Sequence, residues 1–367
     1  MAAICTVNAI ACVPPTRFGP DRDDIVARTA SRESLAVDPQ LVWRTDAGRA
    51  VRGTPAIGAR VVAVGTSDRS VVLLDRASGQ RIWRRHVPGT VAAGPVIRDS
   101  FVYVATQAVP DGRVLALRLK TGVPAWSART GGVSAPLTFA DSSLIAATDR
   151  GSVVALDPAT GARRWERRLG RGIRAMPLVV SAGIAVATIG DSLYLLDSGS
   201  GAIRTRIATP GSVIGTPATD GQRIFAGTTA GHVIALALPD LTVVWDRPLR
   251  DSVHSASPLG DAIYGAPALG GDTLYAVTAR GVLWRLPLAA PDSARAVDLG
   301  VPATAGPTPL ANGIMIAGVT GDVLLVDAVT DAVRWRTRGR GPIDAAPVVK
   351  DRELFLVTGN GVVEAYR

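Results

Sequence analysis

Eight prolines stand at nearly even stations along the chain: Pro55, Pro95, Pro136, Pro177, Pro217, Pro267, Pro307 and Pro347. Successive stations lie 40 or 41 residues apart, with one interval of 50 between Pro217 and Pro267. Most are preceded by Gly or Ala and followed by a short apolar run. Tryptophan keeps the same beat: Trp43, Trp83, Trp126, Trp165, Trp245 and Trp335 each precede a proline, by 12 residues in four cases. Thr205 and Arg295 occupy the two stations where tryptophan is missing. A repeat of this length means an array of one supersecondary unit that buries its apolar faces only by stacking on copies of itself.

The third copy shows the unit, APLTFADSSLIAATDRGSVVALDPATGARRWERRLG. Apolar runs after Pro136, over 144–148, over 153–156 and around Trp165 are separated by turns at Asp141–Ser143, Asp149–Gly151 and DPATG. Four short runs divided by Gly/Asp/Ser turns predict a four-stranded antiparallel meander. Proline suits the head of a first strand, where no ladder hydrogen bond has to be donated.

The phase of the repeats then selects a ring. The array opens on a fourth-strand sequence, LVWRTDAG, and closes on a third strand, GNGVVEAYR, so the two ends are complementary. The expected fold is all-β: an eight-bladed β-propeller of four-stranded antiparallel blades, with the N-terminal strand closing the last blade. The expected division is a signal-like segment and linker over 1–40 and the propeller over 41–367.

The outer-strand motif D-x-x-[TS]-G-x-x-x-W, as in ALDPATGARRWERRLG and LLDRASGQRIWRRHVPG, resembles the tryptophan-docking repeat of pyrroloquinoline-quinone-type propellers over Leu41 to Arg367. The resemblance implies that each tryptophan lies flat against the neighbouring blade, a structural role. Two branches are implied. Quinoprotein dehydrogenases carry a vicinal disulfide, a calcium site and a catalytic Asp. This chain has no cysteine within the repeats, and its only glutamates are Glu33, Glu166, Glu353 and Glu364. The other branch, the propeller lipoprotein of outer-membrane β-barrel assembly, matches in size, blade number and a cysteine near the start. It implies a non-catalytic scaffold for protein partners in the cell envelope. The alternatives are a quinone-dependent oxidoreductase subunit and a small-ligand sensor propeller.

Composition fits a turn-rich folded chain, with 47% hydrophobic residues, 39 Gly and 25 Pro. Cys5 and Cys12 both precede the array, which excludes a disulfide framework. Ala9-Ile10-Ala11 ahead of Cys12 reads as the end of a lipoprotein signal, with Cys12 the lipidation candidate and an exported, periplasmic or outer-membrane-anchored location. No later run reaches the ~18 apolar residues of a membrane-spanning helix. His86, His232 and His254 share no ligand spacing, and no nucleophile elbow or phosphate loop occurs. No enzyme activity and no bound cofactor are expected, with the quinone and calcium left open.

The net charge of +9 comes almost wholly from arginine, Lys120 and Lys350 being the only lysines. Arginines crowd around Trp165 (Arg163, Arg164, Arg167, Arg168, Arg171, Arg174) and around Trp335 (Arg334, Arg336, Arg338, Arg340). They read either as guards of the blade edges or as a surface for anionic lipid or an acidic partner. Nucleic acid is not expected, since no aromatics interleave with the basic residues. A monomeric ring is expected. Two connections depart from the regular repeat. One is the long stretch holding Asp251, His254 and Asp261, and the other is the lengthened turn with Gln107 and Asp111. Both connection types emerge on one face of a meander ring, four blades apart, and they are the candidate partner-binding loops.

Overall fold

The computed structural model describes residues 33–36, 38–108, 110–250 and 260–367. They form eight four-stranded antiparallel sheets. Blades 1 to 7 span 56–86, 96–129, 138–168, 178–208, 218–248, 268–298 and 308–338. Blade 8 takes three strands from 348–366 and its outer strand from Leu41–Asp46, which pairs with Val362–Tyr366. Ring closure through the strand around Trp43 is therefore as the phase predicts.

Second and third strands are buried along their whole length, as in Ser192–Leu196, because each blade packs on both neighbours. They accordingly read as continuous apolar runs rather than as alternating ones. The core is not central but is divided into clusters between blades. Ile145 and Val153 of blade 3, for example, pack with Ile184 and Leu196 of blade 4. Outer strands alternate exposed and half-buried residues, as at Arg163–Arg168.

Two sets of loops emerge on opposite faces. First-to-second and third-to-fourth turns form one, here called the turn face. Second-to-third turns and the connections between blades form the other, the connection face. On the connection face every turn donates a backbone bond to the connection that enters its blade. The pairs are Ser67 to Ala50, Gln107 to Thr90, Asp149 to Gly132, Ile189 to Gly172, Thr229 to Ser212, Ala279 to Ala262, Val319 to Pro302 and Gly359 to Pro342, at 2.7–2.9 Å. This belt satisfies polar backbone that would otherwise be stranded between blades.

Each ruler proline sits one or two residues ahead of an innermost strand. The small residues before it have a steric cause. A Cβ on Gly94 would lie 2.1 Å from the Thr54 carbonyl oxygen, and one on Gly306 would lie 2.1 Å from that of Ala266. Successive connections touch backbone to backbone at these points.

A second belt runs through the tryptophans on the turn face. The indole N–H of Trp43 donates to Arg76 O at 2.9 Å, Trp83 to Leu119 O at 2.8 Å, Trp126 to Pro158 O at 2.9 Å and Trp165 to Ser198 O at 3.1 Å. Each acceptor lies in the third-to-fourth turn of the next blade. The turn glycine is required twice over. Gly201 has φ +68, and a Cβ there would meet the Trp165 ring at 2.5 Å. The aspartate that opens the turn caps it: Asp157 accepts from the Ala159 and Thr160 amides and from Arg164 at 2.6 Å.

Those caps depress carboxyl pKa values. Arg204, then Ser200, holds Asp197 down to about 2. Arg164 lowers Asp157, the Ser78 hydroxyl lowers Asp75, and the Thr330 amide lowers Asp327. Carboxyls with a lowered folded pKa contribute stability that is complete above the unfolded value of about 3.9 and is lost as pH falls below it. The melting temperature should therefore drop between about pH 4 and pH 2. Thermal melts of the wild type and of Asp197→Asn across that range are the check. A variant as acid-sensitive as the parent would show that Asp197 takes no part.

The other four blade junctions depart from the docking pattern. At the seam between blades 7 and 8, where blade 8 has no third-to-fourth turn, Trp335 packs on the Tyr366 ring at 5.8 Å. Between blades 4 and 5 a small–large exchange occurs: Thr205 stands in the tryptophan register, and Leu241, 1% exposed with φ +60, stands in the glycine position. The leucine fills the space that an indole takes elsewhere. Arg295 keeps the tryptophan register in blade 6, opposite Arg285, but is exposed. The junction is instead filled by Arg285, which bonds the Asp327 carbonyl at 2.8 Å and the Ala328 carbonyl and forms an ion pair with Asp331. Trp245 packs with Leu288 and Ala294 of blade 6, whose turn is the short 3-10 segment Pro291–Ser293, and the Trp245 indole N–H has no acceptor among the described residues.

Closure draws on the scarce glutamates. Glu353 pairs with Arg76 at 2.8 Å and with Arg367, while fully buried Glu364 accepts from Arg44 at 2.7 Å and from the Tyr366 hydroxyl at 2.9 Å. Residues 33–36, which precede the ring in sequence, pack on the turn face. Leu35 is buried in the blade 7–8 cluster, and its N–H and C=O bond the Asn312 side chain at 3.3 and 2.7 Å.

Candidate partner-binding face

The described parts of the two irregular connections, 107–112 without 109 and the ends of the stretch between 248 and 268, lie on the connection face. Gln107 bonds the first interblade connection through its backbone, leaving its side chain exposed. Asp111 is also exposed, 3.8 Å from Arg129. Asp261 behaves differently: it is half-buried and braces Arg280 at 3.3 Å. Asp251, His254 and Cys12 lie outside the described residues. Gln107 and Asp111 belong to blade 2 and Asp261 enters blade 6, so the ring sets them on opposite sides and does not assemble them into one site.

The arginines divide into two classes that their spacing does not reveal. Arg164, Arg204 and Arg334 each pair with the capping aspartate of their own blade, Asp157, Asp197 and Asp327. Arg167 donates to Gly201 O at 2.7 Å, and Arg336 pairs with Asp322 at 3.0 Å. These side chains are occupied, four within their own blade and Arg167 across the junction to blade 4. Arg150, Arg168, Arg171 and Arg174 are exposed and have no partner among the described residues.

Those four share one corner of the connection face, between blades 3 and 4. Nearby carboxylates are already engaged, Asp149 by the Ser134 hydroxyl at 2.5 Å and Asp191 by the Ser212 hydroxyl at 2.7 Å. The Leu169 amide bonds Gly151 O at 2.7 Å, and a Cβ on Gly151 would lie 2.1 Å from Arg171 O. The Arg171 stem runs across Gly190, where a Cβ would come within 2.4 Å of its Cγ. Beside it stands Ile189, 44% exposed. A cluster of four exposed guanidinium groups with no ion-pair partner among the described residues, beside one exposed apolar residue, suits an acidic protein surface.

A sequence signal for the face went unread. Thr66, Thr106, Thr148, Thr188, Thr228, Thr278 and Thr358 end the second strands and are all buried. Their hydroxyls brace the following turn, as when Thr148 accepts the Ser152 amide at 2.8 Å. The recurrence at about the repeat interval was visible, but only the register shows what it supports.

With the geometry in place, comparison with known proteins is informative. A family model described as outer membrane protein assembly factor BamB matches residues 31–178, 149–289 and 270–367. The chain belongs to this family. The protein of that name from Burkholderia pseudomallei (strain K96243) is 26% identical over 337 residues, 89% of this chain and 77% of its own length. The crystal structure of BamB from Moraxella catarrhalis superposes with a TM-score of 0.76 at 16% identity, covering 90% of this chain and 99% of that one. Quinohemoprotein alcohol dehydrogenase from Comamonas testosteroni reaches 0.73 at 14% identity, over 93% and 78%. That likeness is one of fold alone.

The fold kinship with quinoproteins invites a test of whether a quinone and calcium would fit. Among the described residues no three of His, Cys, Asp and Glu converge as a metal site. The aspartates of the turn face are spread one or two to a blade; Asp157, Asp197 and Asp327 cap their own turns, and Asp292, Asp331 and Asp351 pair with arginines of an adjacent blade. The residues present in this BamB-family chain do not fit the group.

Proposed function

We propose that this chain is a non-catalytic propeller scaffold of outer-membrane protein assembly that docks a protein partner on its connection face. The observation that carries the reading is the corner between blades 3 and 4. Arg164, Arg204 and Arg334 are spent on capping, whereas Arg150, Arg168, Arg171 and Arg174 stand beside exposed Ile189 with no ion-pair partner among the described residues. Family membership supports the assembly role. The same reading places the chain in the cell envelope as an exported protein, with Cys12 its lipid attachment point and Asp251, His254, Gln107 and Asp111 on secondary contacts of the same face. The folded ring is taken as 41–367.

The rigid ring supplies preorganisation, so little ordering cost is incurred on binding. Guanidinium groups steer an acidic partner and fix its orientation, while Ile189 contributes the desolvated contact. The test is co-purification and site-specific crosslinking from Arg171 in envelope preparations. The triple charge reversal Arg150→Glu, Arg171→Glu, Arg174→Glu is expected to weaken capture of an assembly partner more than tenfold while leaving the melting temperature within a few degrees. Undiminished capture by the folded variant would overturn the docking site. Saturable thermal stabilisation by pyrroloquinoline quinone with calcium, accompanied by dye reduction, would overturn the non-catalytic reading.

A further inference from the structure

Blade 5 differs from its neighbours in a coordinated way on the turn face. At the position of the capping Asp157 it has Ala237, and where blade 3 has Arg163 and Arg164 it has Val243 and Val244. The turn glycine is replaced by Leu241, and Leu238, Pro239 and Asp240 lie between, Asp240 accepting from the Thr242 amide and hydroxyl. Two bases and a glycine have thus been replaced together by apolar side chains, while the capping acid has moved three residues along the turn. The consequence is physical. In blades 3, 4 and 7 the arginine at the Val244 register folds back over the first-to-second turn, Arg164 to Ser142, Arg204 to Ala182 and Arg334 to Asn312. Valine leaves the turn without that arginine, and a cleft of about 680 Å³ opens between blades 4 and 5. Ala182, Ala237, Leu238, Pro239 and Val244 give it an apolar floor, and Gln222 and Arg223, the latter paired with Asp220, stand on its polar wall.

The cleft adjoins a strand edge that is open. Val243–Pro248 is the terminal strand of its sheet, hydrogen-bonded only to the third strand. The outer strands of blades 1 and 7 are guarded, by Arg81, Arg84 and Arg85 and by Arg334, Arg336 and Arg338, whereas blade 8 shares an apolar head in Leu41 and Val42. In blade 5 the charged residues are paired, Asp246 with His232 at 2.7 Å and Arg247 with Asp292 at 2.7 Å. Val243 and Val244 remain 55% and 49% exposed at its head.

We infer that the outer edge of blade 5 receives an extended segment of a partner protein as a fifth strand, with one apolar side chain of that segment seated in the cleft beside Val244. An unpaired edge selects an extended chain, because only that conformation meets its alternating N–H and C=O groups. An apolar floor on one side of the edge selects a segment with apolar residues at every second position. The occupant is thus an amphipathic β-strand. This site lies on the opposite face from the arginine corner and stands or falls independently of it.

The probe is a ten-residue peptide alternating valine and threonine, titrated into the full chain, with amide hydrogen exchange read in parallel. Saturable binding with slowed exchange confined to 243–248 is expected. Val244→Arg, which installs the arginine of blades 3, 4 and 7, should weaken binding at least tenfold with the melting temperature unchanged. Absence of peptide binding would overturn the inference. So would binding that Val244→Arg leaves intact, self-association through this edge without peptide uptake, or attachment to neutral phosphatidylcholine vesicles in place of the peptide.

Discussion

Gly94→Ala is expected to destabilise the ring by more than about 3 kcal/mol, whereas Gly199→Ala should be neutral or slightly stabilising. Both substitutions add one methyl group, and neither residue has the left-handed backbone that favours glycine. They differ in what the methyl meets. At Gly94 it would lie 2.1 Å from the Thr54 carbonyl oxygen, and Gly53 in turn stands against the Gly94 amide. Backbone on both sides cannot swing away as a side chain can, so the blade 1–2 junction has to open. That separates the Thr90–Gln107 bond and the core shared by Val71, Val91 and Val104. At Gly199 the nearest atom is an aspartate side-chain oxygen at 3.5 Å, an ordinary contact. Urea or thermal unfolding of the pair is the measurement. Equal stabilities would mean that the ring centre yields, and that small residues before the prolines have another cause.

That junction shows what the sequence disclosed and what it withheld. The proline stations and their small predecessors could be read directly, and so could the phase that closes the ring. The reason for the small residues could not, because Gly94 and Thr54 lie in different repeats and meet only after stacking. The same holds for Thr205 and Leu241. Each looks like a lapse from the motif in its own repeat, and only adjacency shows that a small–large exchange fills one space. Arg295 illustrates the opposite hazard. Its register was right, yet the side chain spanning to blade 7 is Arg285 on the strand behind it. Function was harder to read because it rests on which charges are left over. Arg164 and Arg171 are alike in a linear sequence, and only the capping geometry separates a spent guanidinium from a free one.

Removing residues 41–46 is expected to abolish cooperative folding at 25 °C, and Trp43→Ala in the intact chain should cost about 3–5 kcal/mol. The ring has no covalent closure, and this strand completes the last blade's sheet. Its bonds add to the direct contacts of that blade with the first, the Glu353–Arg76 pair and the core of Phe355 and Val357 with Val62 and Val72. The strand pairs with Val362–Tyr366, and flanking bonds tie Gln40 to Arg367 at 2.8 and 3.0 Å and Ala47 to Gly361 at 2.8 Å. Its loss would also leave Glu364 buried without Arg44 and would bare a flat apolar strand edge, a template for aggregation. Trp43→Ala is milder because the ladder survives. It removes the indole beneath Gly79, its bond to Arg76 O and its packing on Phe355, whose ring centroid lies 6.2 Å away. The effect should be concentrated at the seam: hydrogen exchange in 353–366 and 61–75 should quicken first, while blades 3 to 6 keep their protection. Uniform acceleration around the ring would show instead that the propeller opens as one unit and has no weakest junction. A truncated chain that still melted cooperatively would mean that the blades hold together without this strand.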